Sequence, residues 1–266
     1  TLNYLKERTD DYSKIRIWGS IGFVVVVVLL GWVFDYVSVS YLPAFMLFML
    51  LAIFLSSLLV RGVVQAKHEG ESAGFLALLW RPQVIAFLLA AFLIQFSHGA
   101  YYTFFSLFLE QQGYSNTMIG FLWALGVTAE VLVFLVVHKL FKWAGYRLVL
   151  IVSLLLAALR WYFTAHFADV LWILMLLQLT HAATFGTMHA VSMHYVHSFF
   201  NGRHQGQGQA FFASFTYGAG GAVGTYVSGL VWSRDLGVTM FELAGLSALV
   251  GMVIALMWVK NSEDEK

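Results

Sequence analysis

The sequence predicts an all-α, polytopic membrane protein with eight transmembrane helices, and three observations predict it. The 266 residues are 60% hydrophobic and only 11% charged, whereas soluble domains carry about a quarter charged residues. Eight segments approach the roughly 20 mostly apolar residues that a spanning helix needs. Lys and Arg fall on alternate breaks between those segments, the pattern of the positive-inside rule.

The segments run at about 17–34, 37–60, 83–109, 117–137, 146–165, 169–197, 206–232 and 238–259 by the length and periodicity rules. Polar breaks separate them: FDYV, RGVVQAKHEGES, EQQGYSN, HKLFKWAG, HFAD, FFNGRHQGQ and SRDLG. The stretch AGFLALLW before Arg81 reads as a short interfacial helix. Lys6, Arg8, Lys14 and Arg16 precede the first span. Arg61, Lys67 and Arg81, then Lys139, Lys142 and Arg147, then Arg203, then Lys260 and Lys266 fall on the same side. The opposite side holds Arg234 beside Asp235. Both ends are therefore expected in the cytoplasm. Trp32, Tyr36, Tyr41, Trp143, Tyr146, Trp172, Trp232 and Trp258 lie near span ends, as an aromatic belt would.

Composition also excludes functions. The chain has no cysteine, which removes disulfides, thiolate metal sites and thiol catalysis. A net charge of +1 gives no basic surface for nucleic acid. The start, TLNYLKERTDDYSKIR, lacks the apolar run of a signal peptide, and a first residue other than Met suggests a truncated chain. No cofactor-binding motif, phosphate loop or nucleophile–base constellation is visible.

Polar groups inside the spans carry the functional signal, because each is costly in lipid unless it faces protein or a watery cavity. At helical spacing Gln95, His98, Tyr102 and Ser106 share one stripe of the third span. Gln178, His181, His189 and Ser192 do so in the sixth, and Gln205, Gln209, Thr216 and Gly220 in the seventh. The fourth span contributes Glu130 and the fifth Arg160. At 1.5 Å per residue, Glu130 and Arg160 lie roughly 5 and 6 Å from the middle of their spans, and His181 lies near the middle of its own. One shared midplane cavity accommodates all of them. Blander readings stand beside this one. Glu130 and Arg160 as a structural ion pair, His181 as a satisfied core histidine, and Gln95 and Gln178 as helix-to-helix hydrogen bonds all fit the same residues. Gly220 and Gly224 in YGAGGAVGTYVSG read as a close helix approach, or as a flexible gating helix. A histidine metal centre at HAVSMHYVH is disfavoured. His189 and His194 are five residues apart and point away from each other, and no carboxylate accompanies them.

Several stretches resemble one family. DYSKIRIWGSIGF (11–23), AYYTFFSLFLEQQGYSNTMIGFLWALGVTAEVLVF (100–134), LRW (159–161) and LQLTHAATFGTMHA (177–190) resemble, in the same order, the 3-phenylpropionic acid transporter branch of the major facilitator superfamily. That branch is related to nucleoside:proton symporters and the lactose permease. HKLFKWAGYR (138–147) resembles a degraded cytoplasmic loop motif of the superfamily, with Lys142 about where an Asp is usual. The resemblance implies a twelve-helix fold of which this chain is the part from the end of helix four onward. Residues 1–66 would then be a cytoplasmic loop and the last two helices of the amino-terminal half. Residues 67–82 would be the central linker, 83–260 the six-helix carboxyl-terminal half, and 261–266 the tail.

The resemblance also implies roles. Arg160 and His181 match an Arg and a His of the permease's proton-coupling network, and Glu130 matches the branch's membrane-embedded acid. A carboxyl that alternates between a dry surrounding and an arginine's neighbourhood can take up and release a proton. The implied protein is a secondary transporter of the bacterial inner membrane, coupling protons to a small organic solute such as an aromatic carboxylic acid. Glu130, Arg160 and His181 would couple the proton. Arg160, Gln178, His181, Gln95, His98, Tyr102 and Trp123 would line the solute site, with Tyr101 and Trp161 adding ring contacts. Its partners would be the solute, the proton, the bilayer and the missing amino-terminal helices. The rival readings are a transporter-fold sensor without flux and a histidine–metal membrane enzyme.

Overall fold

Two prolines occur in the chain, Pro43 and Pro82, and both stand in the first turn of a helix. There the missing N–H has no intrahelical partner to lose. The computed structural model describes residues 10–59, 74–200, 202–234 and 236–260, without the side chains of 10–17, Ser20 and Arg203. The expected start of the amino-terminal loop, residues 67–73 of the linker 67–82 and the tail 261–266 lie outside these residues.

Among the described residues the regular elements are all helices. They are α1 (Asp10–Phe34), α2 (Leu42–Leu58), the short α3 (Phe75–Leu79), α4 (Pro82–Gln111), α5 (Asn116–His166), α6 (Leu171–Leu179), α7 (Met188–Phe199), α8 (Gln205–Phe212), α9 (Gly221–Trp232) and α10 (Gly237–Trp258). Single 3₁₀ turns precede α2 and α8. Two π-helical segments, Ala182–Thr187 and Ala213–Gly220, join α6 to α7 and α8 to α9. The short helix α3 stands before Arg81, where the sequence suggested an interfacial one.

By length and apolarity, five of the described helical runs can cross a membrane: Val39–Leu58, Pro82–Gln111, Asn116–His166, Leu171–Phe199 and Gly237–Trp258. This is fewer than the eight expected, for physical reasons. The expected spans 117–137 and 146–165 lie in one 51-residue run, broken only at Gly145 by a backbone φ of 73°. That conformation suits glycine, which has no Cβ to clash. In α1 the described apolar run is Ile21–Phe34, and the expected span 17–34 also takes in residues whose side chains are not described. The run Gln205–Trp232 is diluted by glutamine and glycine.

Contacts divide the chain into two compact units, residues 1–69 with 115–124, and residues 70–114 with 125–266. In the first unit, the loop after α1 caps the start of α5. The Asp35 carboxylate accepts from the backbone N–H groups of Asn116 at 2.8 Å and Thr117 at 3.1 Å, and from the Thr117 hydroxyl. The Asn116 side-chain amide donates to the Phe34 carbonyl at 3.1 Å. First-turn N–H groups have no intrahelical acceptor, and a carboxylate there also meets the positive end of the helix. The Thr117 hydroxyl, then the two backbone donors, hold the Asp35 carboxyl below its ordinary range against a smaller opposing effect of burial. Its contribution is therefore complete above the ordinary aspartate pKa of about 4 and is lost as pH falls below it. Amide-exchange protection at Asn116 and Thr117 should fall through that acid window. In Asp35→Asn the pH dependence should vanish.

Helix α2 has no buried residue. A helix that is apolar all round and buries nothing presents its surface to lipid or to further helices. An apolar cavity of about 740 Å³ lies between α1 and α2, lined by residues such as Leu29, Val33, Phe45 and Phe48. It carries no charged or strongly polar side chain, so it offers no chemistry.

In the second unit α4 is the central helix, packed along α9 and α10. The α4–α9 crossing depends on two glycines. A Cβ on Gly99 would stand 2.4 Å from the Thr225 nitrogen, and one on Gly224 would stand 2.1 Å from the Phe96 carbonyl oxygen. The glycine-rich stretch is thus a close helix approach. Backbone cannot retreat as a flexible side chain can, so Gly224→Ala should destabilise the fold by about 1–3 kcal/mol. Gly221→Ala, with nothing within 4 Å of its Cβ position, should not. Thermal unfolding in detergent compares the two. At one end of the unit Arg147 donates to the carbonyls of Val259 at 2.6 Å and Leu256 at 2.7 Å. It thereby satisfies the last, unpaired acceptors of α10.

Candidate functional site

Arg160 is the centre of the polar groups in the second unit. It lies on α5 beyond the Gly145 break and is 1% exposed. Its guanidinium lies over two neighbouring rings, 4.4 Å from the centroids of both Tyr101 and Trp161, which are themselves 5.5 Å apart. Cation–π attraction of this kind strengthens when the cation is desolvated. The edge of the fork donates to three side chains. Nη1 donates to Thr184 Oγ1 at 3.3 Å and lies 3.0 Å from His181 Nδ1, while Nη2 donates to Gln178 Oε1 at 3.3 Å. Tyr101 donates its hydroxyl to the same Gln178 oxygen at 2.8 Å.

Arginine can only donate. His181 Nδ1 is therefore an acceptor, and the neutral ring carries its proton on Nε2. That nitrogen faces Glu130, whose Oε2 is 3.8 Å away. The His181 imidazole thus has Arg160 Nη1 at one nitrogen and Glu130 Oε2 at the other. The His181 ring also stacks on Phe185, with centroids 5.3 Å apart and planes 5° from parallel.

Local sequence makes room for this line of groups. Gly126 lies one turn before Glu130, and a Cβ there would stand 3.1 Å from Gln178 Oε1. Gly186 lies in the first π-helical segment, where a Cβ would stand 2.8 Å from Glu130 Cγ. π-Helical turns inside α-helices frequently mark functional sites. Here one starts next to His181.

The expected site residues divide by position. Glu130, Arg160, His181 and Gln178 form the connected line. His98 is fully buried on α4, its ring centroid 5.1 Å from Trp161 and 6.0 Å from His181. Tyr102 is 44% exposed and lies 5.9 Å from His98. Gln95 lies about one turn before His98, with its Cβ 3.5 Å from where a Gly220 Cβ would be. Trp123 belongs to the first compact unit. Three participants lay outside the expected site. Ser97 accepts from Trp161 Nε1 at 2.9 Å and so fixes the ring beneath Arg160. Phe185 and Thr184 complete the His181 and Arg160 surroundings. Their signal in the sequence was proximity to His181 within HAATFGT.

The three histidines of HAVSMHYVH have other neighbours. His189 Nδ1 is 2.7 Å from the Tyr217 hydroxyl, His197 Nε2 is 2.7 Å from Gln209 Nε2, and the His194 ring lies on Tyr146.

Comparison with known proteins places this arrangement. A family profile described as the MFS_1 like family matches residues 1–243. A protein of Escherichia coli (strain K12) named "Probable 3-phenylpropionic acid transporter" is 32% identical, over 92% of this chain and 64% of its own. A "Maltose permease" of Geobacillus stearothermophilus is 26% identical, over 98% of this chain and 66% of its own. An uncharacterized transporter of Bacillus subtilis (strain 168) is 24% identical, over 100% and 66%. The chain thus spans 64% to 66% of the length of these relatives. They are named as transporters or permeases, which leaves no place for the enzyme reading. With a profile match over most of its length and an all-helical, multi-pass membrane fold, the chain belongs to the MFS_1 like family of the major facilitator superfamily.

Proposed function

We propose that this chain is part of a proton-coupled symporter for a small organic acid, in the inner membrane of a bacterium and with both ends of the chain cytoplasmic. The line Glu130–His181–Arg160 is the observation that carries the reading. In the resting site Glu130 is an anion, Arg160 a cation and His181 neutral, so the charges cancel. A proton on Glu130 alone leaves one uncompensated positive charge. A solute carboxylate alone leaves one uncompensated negative charge. Either is costly in a poorly solvated site. Proton and monocarboxylate together restore neutrality. The site is therefore most stable when both are bound or neither is, which is the energetic requirement for symport. His181 transmits this, because its single Nε2 proton points at Glu130 while Arg160 holds its other nitrogen.

Rings provide the remaining specificity. Tyr101, Tyr102, Trp161 and Phe185 surround the line, and an aromatic body fits them. The relative named for 3-phenylpropionic acid supports an aromatic acid over a sugar. The solute site is completed by helices beyond this chain, since in this class of transporter it lies between two halves. Full-length protein in liposomes tests the proposal. A pH gradient, acidic outside, should drive accumulation of 3-phenylpropionate and not of maltose. Accumulation of maltose alone would overturn the solute class, and uptake insensitive to the gradient would overturn proton coupling.

A further inference from the structure

His98 has one nitrogen that the line of charged groups does not use. Its Nδ1 lies 2.8 Å from the Ile94 carbonyl oxygen. A carbonyl only accepts, so Nδ1 carries the proton and Nε2 presents a lone pair. That Nε2 is buried and has no hydrogen-bond partner among the described residues, while the ring itself is 0% exposed. Buried acceptors are almost always satisfied, and one left open calls for an explanation. The surroundings cannot supply it from the ring faces. Trp161 stands edge-on at 5.1 Å with its N–H already given to Ser97, and Phe185 lies at 5.8 Å. Tyr102, at 5.9 Å, is the half-exposed ring of the group.

We propose that His98 Nε2 is the specificity acceptor for a hydroxyl on the ring of the transported acid, so that the preferred solute is a phenolic acid. The inference rests on the aromatic-acid reading above and deepens it. A lone pair repels a carboxylate and attracts an O–H. The carboxylate end of the solute therefore stays at the Arg160 line, and the ring end comes to His98. Rotation of Tyr102 away from His98 uncovers Nε2. The ring hydroxyl then donates to Nε2, while Nδ1 keeps its bond to Ile94. No proton changes owner and no covalent bond is made. The partly buried ring of Phe185 accepts the flat aromatic body.

Two solutes differing only in the ring hydroxyl test this, 3-phenylpropionate and 3-(4-hydroxyphenyl)propionate, with 3-(3-hydroxyphenyl)propionate as the alternative ring position. For full-length protein in liposomes, one hydroxylated acid should bind on the order of tenfold more tightly than the plain acid, the worth of one neutral hydrogen bond. In His98→Asn the amide nitrogen can keep the Nδ1 bond to Ile94 while the Nε2 acceptor is gone, so the preference should disappear. His98→Gln, whose amide oxygen reaches the Nε2 position, should keep part of it. Equal binding of the acids by the wild type, or an unchanged preference in His98→Asn, overturns the proposal. Phenol separates this inference from the carboxylate reading, because it has the ring and the hydroxyl without the acid. In protein labelled with ¹⁵N-histidine, the His98 Nε2 resonance should be that of a bare, unprotonated nitrogen and should shift when phenol is added, and not when benzene is. A resonance already hydrogen-bonded in the free protein, as a resident water would make it, or one unmoved by phenol, overturns the proposal even if every aromatic acid fails to bind.

Discussion

Glu130→Gln should abolish uphill, proton-driven uptake while exchange of solute across the membrane persists. Glutamine keeps the shape and the capacity to accept from His181 Nε2–H, so the 3.8 Å approach can survive. What it loses is the change of charge. The site then carries the Arg160 charge permanently, whether or not a proton is offered. An anionic solute should bind it at any pH, with no dependence on protonation. Exchange requires no net proton movement and should continue. Accumulation against a gradient requires it and should fall to equilibration. Uptake of radiolabelled solute under an imposed pH gradient, beside counterflow with no gradient, separates the two. Normal uphill uptake by this variant would remove Glu130 from coupling and leave it a structural group.

Arg160→Ala should damage the fold before it damages transport. The guanidinium is 1% exposed and serves Gln178, Thr184 and His181 at once, over the adjacent rings of Tyr101 and Trp161. Its removal leaves three polar partners short of a donor, an empty space over two rings, and Glu130 without positive charge in the line. Removing one member of such a buried set costs on the order of 3–5 kcal/mol. Arg160→Lys should be milder for the fold, since it retains the charge. Lysine still lacks the planar fork that reaches three acceptors in one geometry and lies over two rings. The double variant Glu130→Gln with Arg160→Gln removes both charges together. It should recover expression and remain unable to accumulate solute. Detergent-solubilised yield and melting temperature read the first effect, and gradient-driven uptake the second.

Much of the architecture was legible because lipid leaves few alternatives. A buried backbone must satisfy itself, so long apolar runs become helices. Glu130, Arg160, Gln178 and His181 stood out for the same reason, each being a costly group in an apolar run. Their pairing was less legible. Charge alone matches Glu130 with Arg160, whereas the interposed imidazole depends on the rotation of α5 against α6. The two π-helical segments left no signal, because one extra residue in a turn does not alter an apolar composition. The Asp35 cap was hidden by distance along the chain, since a loop aspartate reveals nothing of a helix that starts at Asn116. Tyr101 and Trp161 were foreseen as ring contacts. Their placement side by side under one guanidinium depends on how α4 packs against α5, which composition does not reveal.

The coupling of charge at Glu130 to solute carriage is the central claim, and proton movement itself tests it most directly. Lightly buffered vesicles containing the full-length protein, with no imposed pH gradient, are given an aromatic monocarboxylate while external pH is recorded. The wild type should alkalinise the medium as the solute enters, one proton for each carboxylate, with no net charge crossing the membrane. Glu130→Gln should produce no pH change while still exchanging solute. An equal alkalinisation by Glu130→Gln, or solute entry into wild-type vesicles with no proton movement, would contradict the account.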